Sequence, residues 1–82
     1  MENSDCRIAL IGIIVSDGRA VEEVNAALHE YAPFIVGRMG LPMRDRGVSA
    51  ITVVLDAPLN AVNALTGKLG KISGVNAKAM FR

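Results

Sequence analysis

The chain is 82 residues long, 51% hydrophobic and only 4% aromatic, with a formal net charge of +1. This length fits a single domain with an aliphatic core and leaves no room for a second core. The near-neutral charge favours neither nucleic acid nor an anionic membrane, so we expect no direct nucleic-acid binding. Cys6 is the single cysteine, which excludes an intrachain disulfide and favours a reducing, cytoplasmic location. No apolar run approaches the roughly 20 residues that cross a bilayer, and the polar start lacks a signal-peptide pattern.

The first predicted element is a β-strand at Arg7–Val15, after an expected flexible lead-in over residues 1–6. Five residues of this segment are β-branched, and branched side chains fit a pleated surface well. Alternating side chains of a strand point to opposite faces of the sheet, and here both sets are apolar. We therefore expect both faces of this strand to be packed against other parts of the structure. A chain this short can cover one side with its own helices, and we expect a second copy to cover the other.

The remaining elements follow from changes of hydrophobic period and from turn residues. An amphipathic helix is predicted from Arg19 to Ala32 and ends at Pro33. The next is a strand at Phe34–Pro42, in which Gly37 and Gly40 predict a bend, a bulge or a close backbone contact. After it come a hairpin loop at Met43–Gly47, a strand at Val48–Leu55, a helix that begins at Asp56-Ala57-Pro58, and a strand at Val75–Phe81. The order β-α-β-β-α-β predicts one α+β domain over residues 1–82. It is a ferredoxin-like plait, with a four-stranded antiparallel sheet and both helices on one face.

The sheet face without helices is predicted to be apolar and open, which usually marks an interface. We therefore expect a homo-oligomer, either a dimer or a tetramer. Its copies would meet through sheet faces, through pairing of exposed edge strands, or through both. The candidate interface residues are Ile8, Leu10, Ile11, Ile13, Thr52 and Val54.

No residue pattern has the spacing of a catalytic or metal site. His29 and Cys6 are each the only one of their kind and stand far apart, so we expect neither a metal nor a cofactor. Thr66-Gly67-Lys68 lacks the earlier glycine and the following hydroxyl residue of a phosphate-binding P-loop. The turn Ser16–Arg19 is too short and too acidic for a phosphate loop of the acylphosphatase kind. We expect that the protein is not an enzyme.

Two groups of residues are candidates for binding a small anion. Arginines are concentrated around the second strand and its hairpin, and guanidinium groups bind carboxylate or phosphate; the alternative is a solvated hairpin. A predicted helix start follows the first strand, and backbone N–H groups at such a start favour anions. The candidate ligand-binding residues are Asp17, Gly18, Arg19, Arg38 and Arg44. Arg46 stands beside them in the hairpin.

Two segments resemble a known family: Gly37–Pro42 (GRMGLP), which precedes the charged hairpin, and Ala64–Val75 (ALTGKLGKISGV). They resemble the small ACT-like proteins that are proposed as regulators of iron-only hydrogenase systems, and the likeness extends from Arg7 to Phe81. The resemblance implies an oligomerising plait with a regulatory role. ACT domains often bind amino acids at subunit interfaces near the turn after the first strand, and here only Gly18 matches the usual glycine of that turn.

The sequence thus favours a cytoplasmic ACT-like regulatory module that assembles through its sheet and binds a small anionic or amino-acid-like ligand at a subunit interface. The alternative is a purely structural oligomerisation or protein-interaction module without a ligand. The histidine-rich metal site of related nickel-responsive regulators does not carry over, because this chain has one histidine. An effect on transcription would need a partner protein.

Overall fold

A computed structural model describes residues 6–82 as a four-stranded sheet and two α-helices. In chain order the elements are β1 (Cys6–Val15), α1 (Val21–Glu30), β2 (Ile35–Met43), β3 (Val48–Pro58), α2 (Leu59–Gly70) and β4 (Val75–Phe81). Short 3₁₀ turns precede and follow α1 and close the β2–β3 hairpin. The lead-in predicted over residues 1–6 lies outside the described residues except for Cys6, which is the first residue of β1.

The strand order in the sheet is β2-β3-β1-β4, and every neighbouring pair is antiparallel. Both crossover connections contain a helix, and the buried residues of both helices share one core with one face of the sheet. The predicted ferredoxin-like plait is therefore confirmed. β1 and β3 are the inner strands, so they carry most of the sheet's central surface on both faces.

The core lies between the helices and one face of the sheet and is entirely aliphatic. Along β1 and β3 every second residue is buried, as expected for strands that are covered on one side. Ile11 is 0% exposed and Ile13 is 1% exposed, and both pack against the helices. Their predicted place in a subunit interface is therefore wrong, because they belong to the set of side chains that the chain's own helices cover.

Helix α2 begins three residues later than predicted. β3 continues through Ala57 and Pro58, which pair with Arg7 and Cys6 of β1. Ala57 is buried and Asp56 is exposed, so the alternation of the strand persists to its end. Pro58 is extended, with φ −61° and ψ 150°, and stands just before the first helical residue, Leu59. Burial of one more core residue thus extends the strand at the expense of the first helical turn.

The predicted irregularity in β2 is present. The register of β2 against β3 shifts between Ile35 and Gly37, which leaves Val36 as the extra residue of a β-bulge. The bulge sets which residues of β2 point to each side of the sheet. After it, Gly37 and Met39 face away from the helices, whereas Arg38 lies on the helix side opposite Val53.

Within residues 6–82, neither helix is long and apolar enough to cross a membrane.

Candidate functional site

The face of the sheet that carries no helices, which we call the open face, is the largest candidate site. Strand alternation and register assign its residues directly, because partners opposite each other in neighbouring strands point to the same side. The open face includes Ile8, Leu10, Gly12 and Ile14 of β1, Val48, Ala50, Thr52, Val54 and Asp56 of β3, Gly37, Met39, Leu41 and Met43 of β2, and Asn76, Lys78 and Met80 of β4.

Large apolar side chains on the open face are exposed to solvent. Leu10 in the centre of the sheet is 37% exposed, and Met39 and Met80 are exposed by more than 60%. Most of the exposed large hydrophobic residues of the described chain lie here: Ile8, Leu10, Ile14, Met39, Leu41, Met43 and Met80. Contiguous apolar surfaces of this kind are typical of interaction sites on small domains, which makes the open face a candidate. Of the predicted interface residues, Ile8, Leu10, Thr52 and Val54 lie on this face.

A shallow hollow of about 420 Å³ lies in the open face next to Gly12. Its rim is formed by Ile14, Thr52, Asn76 and Lys78. The hollow exists because Gly12 has no side chain, and a Cβ placed there would meet no atom within 4 Å. The centre of an otherwise apolar surface is therefore indented rather than flat.

The turn after β1 was predicted to bind an anion through Asp17, Gly18 and Arg19. In the structure, the Asp17 carboxylate accepts hydrogen bonds from the Arg19 backbone N–H at 3.0 Å and from two guanidinium nitrogens of Arg19 at 3.2 Å. These bonds hold the pKa of Asp17 below its ordinary value and raise that of Arg19. The chain's own carboxylate thus occupies donors that a bound anion would need. Ligand binding here stays a prediction, and the ligand would have to displace Asp17.

Arg38 lies on the helix side of β2, and its guanidinium donates to the Asn25 side-chain oxygen of α1 at 2.9 Å. These two residues line a depression of about 250 Å³, together with His29, Ile35 and two apolar neighbours. The sequence analysis considered His29 only as a possible metal ligand and did not connect it with Arg38. The pairing depends on where α1 crosses the sheet, which no local pattern specifies.

Arg38 and the hairpin arginines do not form one cluster. Arg44 and Arg46 lie in the 3₁₀ turn of the hairpin, beyond the end of β2. Met43 lies five residues beyond Arg38 along the strand, which is a distance of about 16 Å at the usual rise per residue. Arg38 and Arg44 are therefore two separate candidates, and Arg38 borders a depression that other polar side chains also line.

Clusters of metal-ligating side chains are absent from residues 6–82: no group of three or more histidine, cysteine, aspartate or glutamate residues is arranged to hold a metal ion. Cys6 pairs with Pro58 at the end of the sheet.

Together, the fold and its surfaces define a small α+β plait with an open apolar sheet face. Comparison with known families is more specific. A family model described as "TM1266-like: Iron-only hydrogenase system regulator, putative" matches residues 7–79. The chain belongs to this TM1266-like family.

Solved structures agree with this assignment. The uncharacterized protein TM1266 from Thermotoga maritima is 36% identical, with a TM-score of 0.89 over 93% of this chain and 96% of that one. The C-terminal domain of the MgtC protein from Mycobacterium tuberculosis is 16% identical, with a TM-score of 0.76 over 100% of this chain and 94% of that one. The second likeness shows the fold alone. Among curated proteins, no sequence matches the chain.

Proposed function

We propose that this chain is a non-catalytic regulatory module that works as a homo-oligomer assembled through the open face of its sheet. The observation that carries the proposal is the concentration of exposed apolar side chains on that face, with Leu10 at its centre. The helices bury the opposite face of the sheet and form the core with it. The open face is therefore the surface on which association would remove the most apolar area from water.

The size of the open face is compatible with a specific dimer. Four strands are about 19 Å wide and eight or nine residues are about 28 Å long, so the projected area is about 500 Å². The accessible area of a corrugated face exceeds its projection, and specific interfaces bury about 800 Å² on each partner. The open face is therefore large enough for a dimer whose interface is among the smaller specific ones. Edge pairing between dimers would give the tetramer.

We propose that regulation is exerted through protein contacts rather than by direct reading of nucleic acid. The exposed side of α1 carries Glu22, Glu23 and Glu30, and carboxylates on a helix repel the phosphates that a recognition helix must approach. The family description connects the chain with iron-only hydrogenase systems, so a component of such a system is the partner that we expect.

A matched pair of substitutions tests the assembly. Leu10 and Leu59 are similarly exposed, at 37% and 41%, but Leu59 is the first residue of α2 and lies off the open face. Leu10→Lys places a charge in the proposed interface, whereas Leu59→Lys introduces the same charge elsewhere. We expect sedimentation to show loss of the oligomer in the first variant and its retention in the second. Equal oligomerisation of both variants would contradict assembly through this face.

A small carboxylate or phosphate ligand is the second candidate function, and the depression beside Arg38 favours it. The Arg38 guanidinium has five N–H donors and uses one of them on Asn25, which leaves donors available for an anion. His29 on the same rim adds a second polar group. Thermal-shift screening with amino acids and small anions tests this function, with Arg38→Ala as the variant that should lose the response. A wild-type protein that responds to no compound would favour the purely structural module.

A further inference from the structure

Two glycines lie on the open face, and each stands two positions from a large apolar residue of the same strand. Gly12 follows Leu10 on β1, and Gly37 precedes Met39 on β2. A Cβ at either glycine would meet no atom within 4 Å. Both are therefore gaps in the surface rather than sites of close packing within the chain.

The sheet register places these residues in two adjacent rows that run across the strands. Leu10 pairs with Val54, which pairs with Gly37, and Gly12 pairs with Thr52, which pairs with Met39. The first row, which we call the Leu10 row, comprises Gly37, Val54, Leu10 and Met80. The second, the Gly12 row, comprises Met39, Thr52, Gly12 and Lys78. The two rows are about 6.6 Å apart, two residues along each strand.

We propose that a second copy of this chain packs on the open face about a two-fold axis that runs across the strands, midway between the Leu10 row and the Gly12 row. In a two-fold interface the same patch meets itself, so each residue of one row lies opposite the residue of the same strand in the other row. Leu10 then fills the hollow at Gly12 of the second copy, and Met39 covers Gly37. This inference rests on the proposed function and specifies the arrangement of the partner.

The same axis also brings together side chains of compatible size and charge at the other positions of the two rows. Val54 lies opposite Thr52, which is nearly the same size, and Met80 lies opposite the aliphatic stem of Lys78. β4 is an edge strand, so the Lys78 ammonium reaches water while its methylene groups pack. No charge in the two rows lies opposite a like charge. Sheets in such a sandwich pack about 10 Å apart, close enough for side chains to interdigitate.

Neighbouring positions of the axis fit less well. An axis shifted by two residues toward Ile14 would place Ile14 over Gly12 but would set Met39 against Leu41, two large side chains. A shift in the other direction would set Leu10 against Ile8 and bury Asp56 against Val54. Only the central position gives each of the two glycines a large apolar partner, and overpacked contacts are destabilising.

The test exchanges the protruding residue and the gap. Gly12→Leu fills the hollow, Leu10→Gly removes the side chain that enters it, and the double variant has the wild-type composition with the two positions exchanged. We expect each single variant to raise the dimer dissociation constant by at least about tenfold in analytical ultracentrifugation, and the double variant to bind within a few-fold of wild type. Gly67→Leu, on α2 where a Cβ also meets no atom, is the control that should leave the constant unchanged.

The outcomes separate this arrangement from the broader proposal. A wild-type dimer that Leu10→Lys dissociates, but that neither Gly12→Leu nor Leu10→Gly weakens, would overturn the axis and leave assembly through the open face intact. A folded double variant that stays monomeric would also overturn the axis. A wild-type monomer would overturn both proposals. Gly37→Leu repeats the test on β2 without altering β1, and we expect it to weaken the dimer as well.

Discussion

Gly74 packs directly against Asp17. A Cβ at position 74 would lie 2.8 Å from the Asp17 Cβ, closer than such atoms approach in folded proteins. The Gly74 carbonyl accepts hydrogen bonds from the Ser16 backbone N–H at 2.8 Å and from the Ser16 hydroxyl at 3.1 Å. The turn after β1 and the turn before β4 are therefore fastened together at one end of the sheet.

Gly74→Ala should destabilise the fold strongly, because two costs add. The φ of Gly74 is +82°, a conformation that side-chain-bearing residues rarely adopt, and the new methyl group would collide with Asp17. We expect a loss of about 2–4 kcal/mol in the free energy of unfolding, measured by urea denaturation. Gly47→Ala is the control, since Gly47 also has a positive φ but has open space around it. It should lose only about 1 kcal/mol. Equal losses would mean that the contact with Asp17 relaxes at no cost.

The Asp17–Arg19 pair predicts a pH dependence. The hydrogen bonds from Arg19 lower the pKa of Asp17 from its ordinary value of 3.8, so the unfolded chain binds a proton more readily than the folded one. The stabilisation is therefore present above pH 3.8 and is lost as the pH falls below it. Asp17→Asn should be less stable than wild type at pH 7, and the difference in the free energy of unfolding should shrink as the pH falls below 3.8. A difference that does not change with pH would assign the stabilisation to something other than the charge. Asp45→Asn controls for removing one carboxylate.

Gly67→Ala should stabilise the protein. Gly67 lies inside α2, its φ is not in the positive range, and a Cβ there would meet no atom within 4 Å. Alanine is favoured over glycine in a helix interior by about 1 kcal/mol. We expect the free energy of unfolding to rise by about that amount, without a change in oligomeric state. A loss of stability would show that the surroundings of Gly67 are tighter than the structure indicates.

Ile11 and Ile8 lie on the same strand but on opposite faces, and the same substitution should separate their roles. Ile11 is fully buried, so Ile11→Ala should cost about 2–5 kcal/mol of stability. Ile8 is 51% exposed, so Ile8→Ala should cost less than about 1 kcal/mol in the monomer. Both are measured at high dilution to minimise association. A comparable loss for the two variants would contradict the assignment of faces.

The sequence specifies the order of elements because the hydrophobic period changes at each boundary. β4 has the bounds that the sequence predicts, and the bulge in β2 is one of the three irregularities that its glycines left open. The sequence also predicts that both faces of β1 are apolar. Alternation alone, however, does not say which of the two sets of side chains faces the helices. Ile11 and Ile13 were misassigned for that reason, since both sets of side chains are equally hydrophobic.

The candidate ligand residues show why a site is harder to predict than a fold. Asp17 and Arg19 are two residues apart, and their mutual hydrogen bonding is a local geometry that competes with ligand binding. Arg38 and Asn25 come together only because α1 packs across the sheet onto β2. The hollow at Gly12 depends on side chains from three strands, which only the register of the sheet brings to one place.

The most direct test of assembly through the open face is the absolute molar mass of the wild-type chain, measured by light scattering over a dilution series. We predict a mass twice the 8.7 kDa of one chain, or four times that mass where edge strands also pair, decreasing toward one chain at the lowest concentrations. A folded protein of 8.7 kDa at every concentration would contradict the account, because the apolar face would then stay uncovered by a second copy.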